Sequence, residues 1–401
     1  RITINIFVFC MHKSESLHII HLLSWSPTED NPTLGNFCLR HIQTVSDQSD
    51  SLVLNVQRVN HSIKNIEINL QNVDNYRQLN IKIKDCTAYG KTINKLVNTY
   101  RMFKAYNYGL RYINKHLFRP DLVHLHVALP AGKIALYWKY RYGLSYVLSE
   151  HWSIYLPQDM RLGKDKISKL LLAITNHASL IIPVNENLKR HMIDCGVKSD
   201  FQVIPNVVDT ALFNIKEKNT TDKKQLLHVS SLVDKEKNFS GLLRVIKRVR
   251  VFRNDFVLNV VHSSSHQAFE QYVLENDLQD CIVFHGRKNE KEIVSYYQQA
   301  DFFVLFSHFE NLPCVVLESF ACGLPVVATK VGELPYIINK ERGRLVPAGD
   351  EEALYHEINF MLDHYTEFSK TEIRKYALEH YTKENIKHQL INIYRLCIQN
   401  I

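Results

Sequence analysis

No apolar run among the 401 residues reaches the roughly 18 that a membrane-spanning helix needs. The nearest approach, Leu312 to Ala328, is broken by Glu318, Gly323 and Pro325. Eight cysteines are scattered with no CxxC pair, so zinc-ribbon and thioredoxin-type motifs are not indicated. Several lie in apolar runs, as in Cys281-Ile282-Val283-Phe284, and read as reduced core thiols of a cytoplasmic protein. There is no GxGxxG and no P-loop, so NAD and ATP binding lack their fingerprints. A DxD triplet, which metal-dependent transferases use to hold a cation on a diphosphate, is missing too. Internal repeats and low-complexity tracts are likewise absent. The chain begins at Arg1 without methionine. Ile2–Cys10 is a poor signal core with no small-residue cleavage site after it, and Met11 is the expected natural start, with residues 1–10 as upstream read-through.

What is present suits a two-domain α/β protein. A single core stops growing near roughly 250–300 residues. The apolar fraction of 45% and charged fraction of 22% are ordinary for a globular chain. The formal charge of +8 favours an anionic partner: phosphates, acidic glycans or a membrane surface. Short apolar strands alternate with helical patterns, the mark of parallel α/β architecture. Strands are expected at 17–23, 51–56, 122–126, 146–148, 180–183 and 202–204, and less clearly near 66–70 and 81–83. A second series runs through 226–229, 256–261, 282–284, 302–305, 325–328 and 344–346. Between the two, the polar stretch Asn214 to Lys224 is the best linker candidate.

The strongest chemical signal is Phe309-Glu310-Asn311-Leu312-Pro313-Cys314-Val315-Val316-Leu317-Glu318, directly after the apolar strand Phe302–Leu305. Pro313 disfavours a helical Leu312 and suits the first turn of a helix. Glu310 is therefore expected on the loop at the strand's C-terminal end, and Glu318 inside the following helix. Ligands of open α/β sheets bind at that edge, and a helix start there offers amides to phosphate oxygens. A plain alternative is two solvated glutamates, but Glu318 sits among apolar residues, where an unpaired charge is costly.

This region resembles the EX7E motif of the retaining glycosyltransferases of family 4, which have the GT-B fold. The likeness continues through Ala321-Cys322-Gly323-Leu324-Pro325-Val326-Val327-Ala328 and Val331-Gly332. It implies two Rossmann-like domains facing across a cleft: an acceptor-side domain at 1–205, a nucleotide-sugar domain at 206–380, and a C-terminal helix at 381–401 that crosses back. By the same resemblance Glu310 contacts the donor sugar and Glu318 the ribose, with Asn311, Leu312 and Pro313 beside the donor. After Leu227-His228-Val229-Ser230-Ser231-Leu232, Lys237-Asn238 matches a pattern that reads as a basic residue followed by Lys-Gly. Lys237 fits the lysine, whose ammonium can carry a departing diphosphate's charge; Ser231 replaces an arginine and Asn238 a glycine. Lys237 is expected on a flexible loop.

Pro32-Thr33-Leu34-Gly35-Asn36-Phe37 resembles the family's N-terminal loop, placing Gly35 near the donor phosphates and Asn36 toward the acceptor. Glu150-His151-Trp152 resembles a stretch whose histidine faces the donor sugar. Pro205-Asn206-Val207-Val208-Asp209 resembles the domain crossover, with Val207 in place of glycine and so not left-handed. Glu333 and Tyr336 are further departures. His124 and His126 share one strand face; His126 is placed on the acceptor side, and no third residue is evident that would make the pair a metal site. No metal and no cofactor are expected, the diphosphate being met by lysine and helix dipole.

The resulting reading is transfer of a hexose-type sugar, with retention, from a nucleotide-sugar to a glycan or lipid-linked acceptor in cell-surface polysaccharide or lipopolysaccharide synthesis. A nucleotide-sugar 2-epimerase and a non-catalytic degenerate transferase are the alternatives. A nucleic-acid binder would need a recognised motif, and there is none. Basic and aromatic residues interleave from Lys91 to Lys115 and from Lys133 to Tyr146, which suits either a solvated helix or an anionic membrane surface. The expected site is cytoplasmic, peripheral on the inner face of the membrane.

Overall fold

The computed structural model describes residues 16–27, 34–60, 66–157, 168–219 and 221–399. The expectations about residues 1–11 and about Pro32 and Thr33 lie outside them. The first sheet is built from β1 (Leu17–Leu23), β2 (Ser49–Val59), β3 (Ile66–Val73), β4 (Tyr76–Lys84), β5 (Leu122–His126), β6 (Tyr146–Glu150) and β7 (Leu180–Pro183). Its order is β3-β4-β2-β1-β5-β6-β7, parallel except for β3, which pairs antiparallel with β4 through a tight turn at Asp74 and Asn75. The second is built from β8 (Lys224–Ser230), β9 (Phe256–His262), β10 (Ile282–Gly286), β11 (Phe302–Leu305), β12 (Val326–Thr329) and β13 (Gly343–Val346), all parallel, in the order β10-β9-β8-β11-β12-β13. That is the doubly wound 3-2-1-4-5-6 order, whose direction of winding reverses between β8 and β11.

Helices cover the faces: α1 (Asn36–Val45), α2 (Lys91–His116), α3 (Gly132–Tyr142), α4 (Lys169–Asn176) and α5 (Glu186–Asp194) in the first half. The second half has α6 (Asp234–Lys237), α7 (Phe239–Phe252), α8 (Gln267–Glu275), α9 (Glu290–Gln299), α10 (Cys314–Ala321), α11 (Leu334–Ile337), α12 (Glu351–His364), α13 (Lys370–His380) and α14 (Lys383–Gln399). Central strands buried on both faces lose polar alternation, which is why β11 reads Phe-Phe-Val-Leu with every residue buried. The last helix, α14, places Ile386, Leu390, Ile393 and Tyr394 against Ile19, Leu122 and Val147 of the first sheet. The Tyr394 hydroxyl meets His124 Nδ1 at 2.6 Å.

Two expectations change. Residues 202–204 do not form a strand. The Gln202 and Ile204 amides donate to the Ile181 and Pro183 carbonyls of β7, but one isolated bridge forms, Ile181 with Phe201. Pro205 follows and has no amide to continue the ladder. The linker candidate is also pinned rather than loose: Lys218 pairs with Asp301 at 2.6 Å, Gln298 bonds Asn214, and Lys224 already belongs to β8.

Candidate active site

The winding of the second sheet reverses at β8 and β11, and the chemistry gathers at their C-terminal ends. β8 leads through Ser230 and Ser231 into α6, a single helical turn ending at Lys237, so the lysine is not on a flexible loop. A four-residue helix has no periodicity to betray it. Asn238 then takes φ 48° and ψ 44°. Asparagine tolerates this left-handed region, so it can stand where the family has glycine. Val207, by contrast, is not among the described residues with positive φ. The His308 amide donates to the Glu236 carbonyl at 2.8 Å, tying α6 to the loop after β11. Lys237 Nζ thereby meets Glu310 Oε1 at 2.6 Å. Ser307 Oγ donates to the same oxygen at 2.7 Å, and Thr329 Oγ1 holds the Ser307 carbonyl. Glu310 Oε2 has no hydrogen-bond partner among the described residues. Gly332, at φ 55°, packs so closely that a Cβ would stand 2.2 Å from the Glu310 carbonyl oxygen. No side chain caps the first turn of α10, which begins four residues after Glu310.

The edge of the first sheet faces this group. Gly35 adopts φ 75° at the start of α1, and a Cβ there would lie 2.2 Å from the Trp25 carbonyl oxygen. Gly35→Ala is expected to cost roughly 2 kcal/mol or more, from left-handed strain plus the clash. Chemical denaturation measures this, and an unchanged midpoint would mean the loop relaxes freely. Asn206 Nδ2 donates to the Leu312 carbonyl at 2.8 Å, which orients its Oδ1 toward His151 Nδ1 at 3.0 Å. His151 Nδ1 is then the donor, and its Nε2 is a buried acceptor without a partner among the described residues. Burial holds this imidazole well below its usual pKa, and nearby His41 adds to the effect. Asn311 completes the belt by donating to the His151 carbonyl at 3.1 Å and accepting from Asn185 at 2.6 Å.

Between the two edges lies a cleft of about 590 Å³. Of the residues singled out from sequence, Gly35, His151, Ser231, Lys237, Glu310, Asn311, Leu312 and Pro313 line it. Asn36 is half-buried beside it at the start of α1. Sequence reasoning missed Trp25, His262, Arg287 and Lys288, which also line the cleft. Glu333 and Tyr336 line a second hollow instead.

Glu318 is not on the cleft wall. Its Oε1 accepts from Arg40 Nη2 of α1 at 2.7 Å and its Oε2 from the Tyr297 hydroxyl at 2.8 Å. Arg40 also pairs with Glu290 at 2.8 Å. Burial opposes the guanidinium's charge, and Glu318 and Glu290 more than reverse that, raising it above its usual value. The available signal was that Arg40 is the lone Arg, Lys, Asp or Glu in α1.

His126 is fully buried inside the first sheet and does not reach the cleft wall. A third histidine does join the pair on its strand, against expectation: potential ligand atoms of His21, His124 and His126 lie within 4.8 Å of one another. Register explains it, since β1 runs beside β5 with His21 opposite His124. Hydrogen bonds engage both ring nitrogens of His21, to His126 and Ser51, and both of His124, to Tyr394 and Ser149. That favours a hydrogen-bonded polar core over a metal centre. Cys38, His126 and His151 form a second such group.

Two doubly wound domains with their strand ends turned toward one cleft define the GT-B class of transferases. The model of glycosyl transferases group 1 matches residues 223–364, and that of glycosyltransferase family 4 matches residues 88–212. Between them they take in much of both domains, and the chain belongs to this family. It is 26% identical to an uncharacterized glycosyltransferase of Methanocaldococcus jannaschii, over 72% of this chain and 77% of the relative. It is 28% identical to an uncharacterized protein of the Klebsiella pneumoniae cps region (51% and 57%) and 27% identical to an amylovoran biosynthesis glycosyltransferase of Erwinia amylovora (44% and 45%). The chain thus spans about half the length of several curated relatives. Sucrose-phosphate synthase from Thermosynechococcus elongatus superposes with a TM-score of 0.75 at 19% identity, over 96% of this chain and all of that one. Anabaena HepE in complex with UDP and glucose superposes at 0.67 with 15% identity (94% and 99%).

Proposed function

We propose that the cleft binds a nucleotide-sugar and transfers its hexose-type sugar, with retention, to a glycan or lipid-linked acceptor in cell-surface polysaccharide or lipopolysaccharide synthesis. The observation that carries this reading is the Lys237–Glu310 pair at 2.6 Å beside the uncapped start of α10. Lys237 and the amides of α10 receive the diphosphate, with the positive end of the helix dipole adding to the ammonium. Glu310 Oε2 accepts from sugar hydroxyls, and so does His151 Nε2. Ser231, Asn311, Leu312 and Pro313 border the donor. Gly35 lets the first domain's backbone approach the phosphates, with Asn36 toward the acceptor. Glu318 serves the ribose once Arg40 yields one of its contacts. His126 acts behind the acceptor side, through the buried network and not by contact.

The charge is handled by protein groups, so no metal is required in this scheme. Support for a surface-polysaccharide acceptor comes from the amylovoran relative and the cps-region protein. No described helix is long and apolar enough to cross a membrane, and we place the activity in the cytoplasm. A thermal-shift screen against nucleotide-sugars tests the proposal. A donor at a hundredfold excess over its Kd contributes about 2.7 kcal/mol to the native state, a rise of several degrees in Tm. No shift with any nucleoside diphosphate or its sugars would sink it. A 2-epimerase would turn over donor alone, without acceptor.

A further inference from the structure

We infer that Cys38, His126 and His151 form a site for a thiophilic divalent ion of the zinc class behind the first domain's wall of the cleft. Such an ion is not needed for transfer; it inhibits, by taking the nitrogen that a donor sugar would use. The three residues come from separate elements that meet at one edge of the first sheet. His126 closes β5, and His151 follows β6, the strand paired with β5. Cys38 lies in the first turn of α1, its amide donating to the Gly35 carbonyl at 2.9 Å. Cys38 and His126 are fully buried, and His151 is 9% exposed. One potential ligand atom from each lies within 4.8 Å of the other two. Bonds of about 2.3 Å to sulfur and about 2.0–2.1 Å to nitrogen set tetrahedral zinc ligands about 3.3–3.6 Å apart, so a contraction of at most about 1.5 Å completes the set.

The direction of the hydrogen bonds decides which lone pairs are bare. Ser49 Oγ donates to the Val45 carbonyl at 3.0 Å, so its 2.8 Å contact with Ser51 Oγ uses the Ser51 proton. Ser51 Oγ then accepts from His21 Nε2 at 3.1 Å. His21 Nδ1 is left as an acceptor and takes the proton of His126 Nε2 at 3.1 Å. This relay ends on His126 Nδ1, a bare lone pair, buried and without a partner among the described residues. From the other side Asn206 makes His151 Nδ1 a donor, which leaves His151 Nε2 bare in the same way. Buried polar atoms are seldom left unpaired, and two imidazole acceptors beside a thiol are a donor set for a soft metal ion. Burial first, and then neighbouring histidines, hold both imidazoles well below their usual pKa, so neither has to lose a proton to bind. Burial, with the Glu150 charge nearby, keeps the Cys38 thiol protonated. Each ion therefore displaces one proton, from Cys38 to solvent.

The neighbouring group of His21, His124 and His126 is the poorer candidate. It holds no thiol, and His21 and His124 have both ring nitrogens engaged. A thiolate with imidazoles suits zinc and its late first-row neighbours, whereas magnesium and calcium take oxygen ligands. His151 lines the cleft and gives an ion its way in. The inhibition rests on the sugar contact proposed above for His151 Nε2; the ion site itself rests on the three side chains alone.

The test titrates the whole chain, reduced and stripped with chelator, with zinc and separately with cobalt(II). Zinc is expected to release about one proton per ion, read by calorimetry in buffers of different ionisation enthalpy. Cobalt is expected to show a thiolate charge-transfer band and the d–d absorption of a tetrahedral ion. Cys38→Ser and Cys38→Ala should lose the band and bind zinc at least about a hundredfold more weakly, beyond the roughly 10–100-fold that loss of an outer partner costs. Their metal-free turnover should match the wild type, since Cys38 contacts no substrate in the proposed scheme. Zinc should raise the wild-type KM for donor with kcat unchanged, and the Cys38 variants should resist it. If neither variant folds, the cobalt spectrum of the unaltered chain still decides. Absence of the thiolate band, zinc binding without proton release, or equal zinc affinity in wild type and Cys38→Ala overturns the inference, the ion then being held by other histidines. Zinc bound with the thiolate band but without inhibition overturns the inhibitory half and counts against the sugar contact of His151. A chain that binds zinc in this way and moves no sugar would count against the proposed function and leave the ion site standing.

Discussion

Glu310→Ala is expected to lower transfer, and donor hydrolysis, by two to three orders of magnitude, with little effect on the melting temperature of the donor-free protein. Glu310 sits 8% exposed between Lys237 and Ser307, and its second oxygen is the free acceptor that a sugar hydroxyl would use. Lys237→Met should cost a similar factor, roughly 10² to 10³ in kcat, the usual result of removing one aligned electrostatic group from a transition state. The two differ in stability. Removing the lysine leaves a nearly buried carboxylate without its cation, costing on the order of 1–3 kcal/mol. Removing the glutamate leaves an ammonium that is more accessible to water. The double variant should therefore melt above Lys237→Met, while turning over no faster than either single variant. Steady-state kinetics together with calorimetry separates these effects. Wild-type turnover in Glu310→Ala would end the proposed mechanism.

The second large effect is acid lability. His21 is pushed down to about 3, His41 to about 4 and His228 to about 4 by burial. His124, His126 and His151 are lowered well below the usual value, by burial first and then by neighbouring histidines. Each is neutral in the fold and takes up a proton when unfolded below pH 6.5. The unfolded chain then binds more protons, so stability is complete above about pH 7 and falls as pH drops through 6.5 toward the folded values. Each such histidine contributes up to about 1.4 kcal/mol per pH unit in that window. Six of them acting over one unit rival the roughly 5–15 kcal/mol of a typical domain. Glu150 works in the other direction. Burial pushes it up to about 7 despite bonds from the Trp152, Ala128 and His151 amides. Its destabilisation is relieved as pH falls from 7 toward 4.5, and Glu333, whose carboxyl burial also raises, acts the same way, so these two acids oppose the histidines. Melting temperature should drop by tens of degrees between pH 7 and pH 5, and a flat profile would show that these imidazoles are solvated. His21→Asn and His124→Asn should each flatten the slope.

Much of the architecture was readable in order of residues. β1, β5, β7 and β11 begin and end where their apolar runs do. The loop after β11 was legible because Pro313 marks the helix start and Phe302–Leu305 the strand before it. α6 was not legible, being one turn long, and residues 202–204 read as a strand because an extended edge segment has the same composition as a paired one. Glu333 and Tyr336 stood out as departures from the family, yet line a different hollow from the cleft.

Local order in the sequence was enough to determine the alternation of strand and helix, the two-domain division and the placement of Glu310 at a strand end. Those features depend on the spacing of apolar residues and on where proline and glycine interrupt it, which neighbours in the chain decide among themselves. Only the tertiary structure decided what each charge faces. Lys237 reaches Glu310 across 73 positions and Arg40 reaches Glu318 across 278. His124 finds His21 through the register of β1 on β5 and Tyr394 through the return of α14. Such contacts follow from strand register and from the closing of one domain on the other, and no local periodicity encodes them.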